Sequence, residues 1–197
     1  MFALQNNVAL YGGFFGTEQK RTDRAPVYPT PTYPTLLRGD INRDGVRRST
    51  HVVAGNGLNA SAVLDGFRII NGNATVNASG VNATWWWAGG GLYLLDCRAT
   101  LANLTIDHNN GVYGGGLYLL DRTTNTAPLT MSNITIDTNT DNGAGYNSVS
   151  YGAGAAIINV IGNITLSNVT IKNNTKTFVN ANASIDANYL GGGAWLL

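Results

Sequence analysis

GGGLYLLD runs from Gly89 to Asp96, and the same eight residues return from Gly114 to Asp121. Two looser copies follow, GAGAAIIN from Gly152 to Asn159 and GGGAWLL from Gly191 to the end. Between them stands a second family: LDGFRIINGN from Leu64, LANLTIDHNN from Leu101, MSNITIDTNT from Met131 and LSNVTIKNNT from Leu166. The two families alternate, so one structural unit recurs along the chain.

In the second family, positions one, four and six are apolar in every copy, as in Leu101, Leu104 and Ile106. Positions four and six keep the period of two that a strand with one buried face requires. Position one breaks that parity, which demands a bend between one and four. The third position holds Gly66, Asn103, Asn133 and Asn168, residue types that tolerate left-handed backbone. Positions nine and ten, mostly Asn, Gly or Thr, read as closing turns.

At its shortest the unit spans the 25 residues from Gly89 to Gly114, too few for a helix-bearing unit with three strands. It suits one coil of a parallel β-helix, in which each strand pairs with its equivalent about 4.8 Å away and like residues form ladders. Leu then lies on Leu and Tyr on Tyr. Longer spacings between later copies place insertions after residues 121, 140 and 174. The predicted fold is all-β, a right-handed parallel β-helix of five to six rungs. Residues 1–50 supply a strand and a Pro-rich surface excursion of the same domain, and residues 51–197 supply the rungs. The opening MFALQNNVALYGG reads as a strand already in progress and the chain stops on AWLL, so the expectation is a fragment of a longer protein.

Composition narrows the function. Of 197 residues only 12% are charged and the formal net charge is +1, which gives no reason to expect nucleic acid. No apolar run approaches a membrane span. Cys97 is alone, which excludes an intramolecular disulfide.

The stretches LQNNVALYGGFFGTE, LLRGDINRDG, STHVV and LDGFRIINGNA, with repeated GGGLY and N-x-T-I-x-x-N, resemble bacterial secreted and surface proteins with the pectin-lyase-like right-handed β-helix. Within that group they are most similar to those with polymorphic-outer-membrane-type repeats. The resemblance implies the fold and an extracellular or cell-surface location. It leaves activity open, since this scaffold carries lyases, hydrolases, adhesins and structural stalks. The expected function is an extracellular structural or adhesive module that self-associates end to end into filaments, with a host surface, neighbouring cell or polysaccharide as partner. A pectin-lyase-like carbohydrate-active enzyme is the alternative, and a glycan-binding module is the third reading.

Several residues carry these readings. Asp107 and Asp137 occupy position seven on consecutive rungs, with Lys172 on the next, and Asp96 and Asp121 make a second expected pair. Stacked carboxylates with a basic partner can share a proton, bind a cation or cleave a glycosidic bond, and they can equally solvate strand ends. Trp85, Trp86 and Trp87 offer a stacking platform for sugar rings, or fold back over the rungs. DINRDG supplies Asp40, Asn42 and Asp44 in the opening pattern of a Ca2+ loop, but His51 stands where the bidentate Glu belongs. No other cofactor is expected. Ten N-x-S/T sequons occur where chance gives about four. Three of them, at Asn103, Asn133 and Asn168, are built into the repeat. The glycosylation candidates are Asn59, Asn73, Asn77, Asn82, Asn163, Asn173 and Asn182.

Overall fold

A computed structural model describes residues 1–26, 32–46, 49–75, 87–124, 126–141, 152–158, 161, 163–176 and 193–196. The first pass of the chain contains β1 (Phe2–Ala3), β2 (Ala9–Tyr11), a single 3-10 turn (Arg21–Asp23) and β3 (Thr35–Arg38). β4 (Val53–Asn56), β5 (Val63–Asp65), β6 (Phe67–Ile70) and β7 (Asn73–Ala74) form the second pass, and β8 (Leu92–Leu95), β9 (Thr100–Asp107) and β10 (Asn110–Gly111) the third. The fourth comprises β11 (Leu117–Leu120), β12 (Leu129–Asp137) and β13 (Thr140–Asp141), and the fifth β14 (Ala155–Ile158), β15 (Ile164–Lys172) and β16 (Thr175–Lys176). β17 (Ala194–Leu196) follows.

These strands make three sheets. One has six strands in the order β1-β4-β8-β11-β14-β17, one has four (β16-β13-β10-β7), and one has seven, with β3 and β6 beside its path β15-β12-β9-β5-β2. The pairings are parallel, and each later pass visits the three sheets in the same order. The expectation of an all-β fold with parallel strands therefore holds. Register follows the repeats: Leu92, Tyr93, Leu94 and Leu95 lie opposite Leu117, Tyr118, Leu119 and Leu120, and Leu104, Ile134 and Val169 are in line.

The interior is built from the inward members of these ladders, including Leu92, Leu94, Leu101, Leu104, Ile106, Leu117, Leu119 and Ile134, all fully buried. The octet is apolar on its other face as well. Tyr93, Tyr118, Leu120, Ala156 and Ile158 join Trp87, Val112 and Tyr113 in a second apolar cluster outside the six-stranded sheet. The Tyr93 and Tyr118 rings stack with centroids 5.7 Å apart.

The bend at position three is present in each copy: Gly66, Asn103, Asn133 and Asn168 have φ of 86, 52, 53 and 54°. Their amides form a ladder on the outside of the bend. Asn103 Nδ2 donates to Asp65 Oδ1 (2.7 Å), Asn133 Nδ2 to Asn103 Oδ1 (2.9 Å) and Asn168 Nδ2 to Asn133 Oδ1 (3.0 Å). Arg24 closes the near end with both Asp65 oxygens at 3.1 Å.

The closing turn differs from the expectation at positions nine and ten. The left-handed residue is the eighth, Asn71, His108, Thr138 and Asn173, at φ of 61, 55, 54 and 52°. That corner swings position nine inward, where Asn109 and Asn139 are fully buried. A buried amide needs partners. Asn109 Oδ1 accepts from Gly72 N, and Asn139 Oδ1 accepts from the backbone N and Nδ2 of Asn109. Asn174 Oδ1 accepts in the same way from Asn139, so a second amide ladder runs through the interior.

Candidate functional site

Position seven points outward immediately before the left-handed corner, and parallel register brings its members together. Asp107 pairs with Asp137, and Asp137 with Lys172, on adjacent strands. Arg68, at position five where the later copies have Thr, reaches across to Asp107: Nε lies 2.8 Å from Oδ1 and Nη2 2.6 Å from Oδ2. The left-handed backbone of His108 turns its ring back, setting Nδ1 2.6 Å from Asp107 Oδ2. Asp107 is 4% exposed, whereas the His108 side chain is about half exposed.

Asp137 has partners of its own. Its Oδ1 accepts from Thr138 Oγ1 (2.9 Å) and Asn173 Nδ2 (3.0 Å), and Lys172 Nζ lies 3.7 Å from Oδ2. Burial alone would raise the pKa of Asp137, but these hydrogen bonds and the Lys172 charge outweigh it and hold the carboxyl below its usual range. The hydrogen bond to Asp107 raises the Arg68 pKa. The two carboxylates thus sit one strand apart, each matched to a separate cation.

Sequence reasoning missed Arg68 and His108. Arg68 was visible as the break in a column that continues Thr105, Thr135 and Thr170. His108 was adjacent to Asp107 in the chain, and only the left-handed corner makes neighbours in sequence into hydrogen-bond partners.

The expected Asp96–Asp121 pair is pulled apart. Asp96 is left-handed (φ 53°) and binds Arg122, with Nη2 at 2.7 Å from Oδ2, and that hydrogen bond lowers its pKa. Asp121 is buried against Arg98, whose guanidinium also donates to Ala127 O (2.7 Å) and Ile161 O (3.1 Å). Arg98 and Asp121 therefore tie the connection after β11 to the end of β14's own connection.

Of the Ca2+ candidates, Asp40 is buried and both its oxygens face Arg38, at 3.0 and 2.6 Å. The Arg38 hydrogen bond holds the Asp40 carboxyl well below the usual carboxylate range, against the opposing effect of burial. Asn42 is exposed, and Asp44 Oδ1 accepts from Val46 N (2.9 Å). Among the described residues, no group of three or more His, Cys, Asp and Glu side chains is gathered as a metal site.

Trp87 is half-buried in the outer apolar cluster, while Trp85 and Trp86 lie outside the described residues, as do the sequons at Asn77, Asn82 and Asn182. Asn59, Asn163 and Asn173 are exposed and Asn73 is half-buried. An open cleft of about 590 Å³ lies elsewhere, between the 3-10 turn and the seven-stranded sheet, lined by Tyr11, Arg21, Arg24, Asp65 and Thr100. Arg21 covers the Tyr11 ring, its guanidinium carbon 4.7 Å from the centroid.

Among the described residues, no helix is long and apolar enough to cross a membrane. No protein-family model matches the chain, and neither a curated protein nor a solved structure matches it.

Proposed function

We propose that this chain is a right-handed parallel β-helix serving as an extracellular structural or adhesive surface module, of the kind found on bacterial surface proteins with polymorphic-outer-membrane-type repeats. The reading rests on one observation above others. The polar side chains at the outward corner and bend are committed to neighbouring passes: Asp107 to Arg68, Asp137 to Lys172 and Asn173, and Asn103 and Asn133 along their ladder. Groups used to lock one coil to the next stiffen a rod. The right hand follows from the strong preference of parallel crossovers.

Display accompanies stiffness. The chain passes from the four-stranded sheet to the six-stranded one after β7, β13 and β16, and from the second pass on the sequence separating the strands is longest there. End-to-end self-association is part of the proposal. Among the described residues β15 is the last strand of its sheet, and Leu166 there is 44% exposed, whereas its counterpart Met131 one pass earlier is buried. An uncovered parallel edge offers unpaired N–H and C=O groups together with apolar side chains.

Electron microscopy of the protein from its source tests this. Rods or end-to-end stacks with an axial repeat of about 4.8 Å support the module. Isolated monomers that cleave a polysaccharide would overturn it.

The enzyme reading keeps one specific observation in its favour. A buried carboxylate hydrogen-bonded to Nδ1 of a half-exposed imidazole, with Arg68 on the same carboxylate, is the pairing that orients a histidine as a general base. Polysaccharide cleavage abolished by Asp107→Asn with the fold retained would establish that reading instead.

A further inference from the structure

The sequons differ in what their amides are doing, and the structure sorts them. In Asn103, Asn133 and Asn168 the Nδ2 atom, the one that would carry a sugar, donates within the outer ladder. Asn173 Nδ2 donates to Asp137. Glycosylation replaces one of the two hydrogens on such a nitrogen, and with an acceptor oxygen already 2.7–3.0 Å away the sugar must be fitted against the neighbouring pass. Asn73 sits half-buried in β7, its Oδ1 shared by Thr75 Oγ1 (2.7 Å) and Asn110 Nδ2 (3.3 Å).

Asn59 combines three features that none of these five has together. It is exposed, and its Oδ1 accepts both the backbone N–H (2.9 Å) and the hydroxyl (2.6 Å) of Ser61, the third residue of its own sequon. Its backbone N is fixed by Asn6 Oδ1 at 2.8 Å, and Ser61 Oγ is fixed by Asn7 N at 2.9 Å. The loop is therefore held from the first pass, the sequon is already folded into an Asx turn, and Nδ2 makes no hydrogen bond among the described residues. A hydroxyl donating to an amide oxygen also makes the amide N–H more acidic.

We propose that Asn59 is an N-glycan acceptor in the folded chain, with a lipid-pyrophosphate-linked oligosaccharide as donor. Asn59 Nδ2 bonds to the anomeric carbon, the bond from that carbon to the pyrophosphate oxygen breaks, the lipid pyrophosphate leaves with the electron pair, and a transferase base takes the amide proton. The proposal is independent of the structural or enzymatic reading above.

The test incubates the folded chain with a single-subunit oligosaccharyltransferase and its lipid-linked donor, then maps glycopeptides by mass spectrometry. The expected result is glycan on the Asn59 peptide, none on the Asn103, Asn133 or Asn168 peptides, and loss of the Asn59 signal in Ser61→Ala. A urea-unfolded sample should gain glycan at the ladder sequons. Folded chain left bare at Asn59, or modified at the ladder positions, would overturn the proposal. So would an unmodified Asn59 peptide in protein purified from its source.

Discussion

Asn139 makes four hydrogen bonds through one side chain, two accepted from Asn109 and two donated to Ile106 O and Asn174 Oδ1. Each buried group left without a partner costs about 1–3 kcal/mol, so Asn139→Ala is expected to lower unfolding stability by about 3 kcal/mol in a denaturant titration. Arg98→Ala leaves Asp121 buried and uncompensated and should cost about 3–5 kcal/mol, with much of that recovered in Arg98→Met/Asp121→Leu. His51 sets a pH dependence. It is buried, donates from Nδ1 to Gly89 O (3.2 Å) and stacks on Tyr93, and burial lowers its pKa. The unfolded chain then holds that proton more tightly than the folded one. Stability tied to His51 is full above about pH 6.5 and is lost as the pH falls below it. His51→Phe, which keeps the ring stack, should flatten the change in urea midpoint between about pH 7 and about pH 5. At this scale the bend was legible, because Gly and Asn at position three point to left-handed backbone. The interior ladder was not, since Asn in a turn and Asn turned inward spell the same letters.

Among the strands, the octet is the most demanding. A Cβ at Gly116 would stand 2.7 Å from both Asn139 Nδ2 and Gly154 O, where neighbouring passes close on each other. Gly116→Ala should therefore lower the melting temperature through an overpacking cost of about 1–3 kcal/mol. Gly57, with φ of 63° and open space around it, is the contrasting site, at which Ala costs only about 1 kcal/mol of backbone strain. Identity between octets revealed the register directly, because like residues pair with like. It hid the second apolar cluster: LYLL has no polar alternation, as expected of a strand covered on both faces, and nothing in four letters says what covers the outer one. The outward corner was half legible for a similar reason. Equal numbering across copies gave Asp107, Asp137 and Lys172, while Arg68 enters from a different position and reaches sideways.

For the whole molecule, association should depend on the β15 edge. Leu166→Lys puts a charge at an already exposed position, so the fold should persist while end-to-end assemblies, measured by light scattering across a concentration series, give way to monomers. An unchanged assembly state would remove β15 from the interface. The repeated spelling made the recurring parallel unit readable from residue 51 onward, but not the four-stranded sheet: Asn73, Asn110, Thr140 and Thr175, which begin its strands, spell turn residues.

The two amide ladders also differ in sense. In the interior, Asn139 Oδ1 faces the earlier pass, where it accepts from Asn109; at the outer bend, Asn103 Oδ1 faces the later pass, where it accepts from Asn133. Their dipoles are opposed along the axis and largely cancel. A further pass would extend the two ladders in opposite senses, so their amide dipoles offset along the strand-to-strand direction instead of adding.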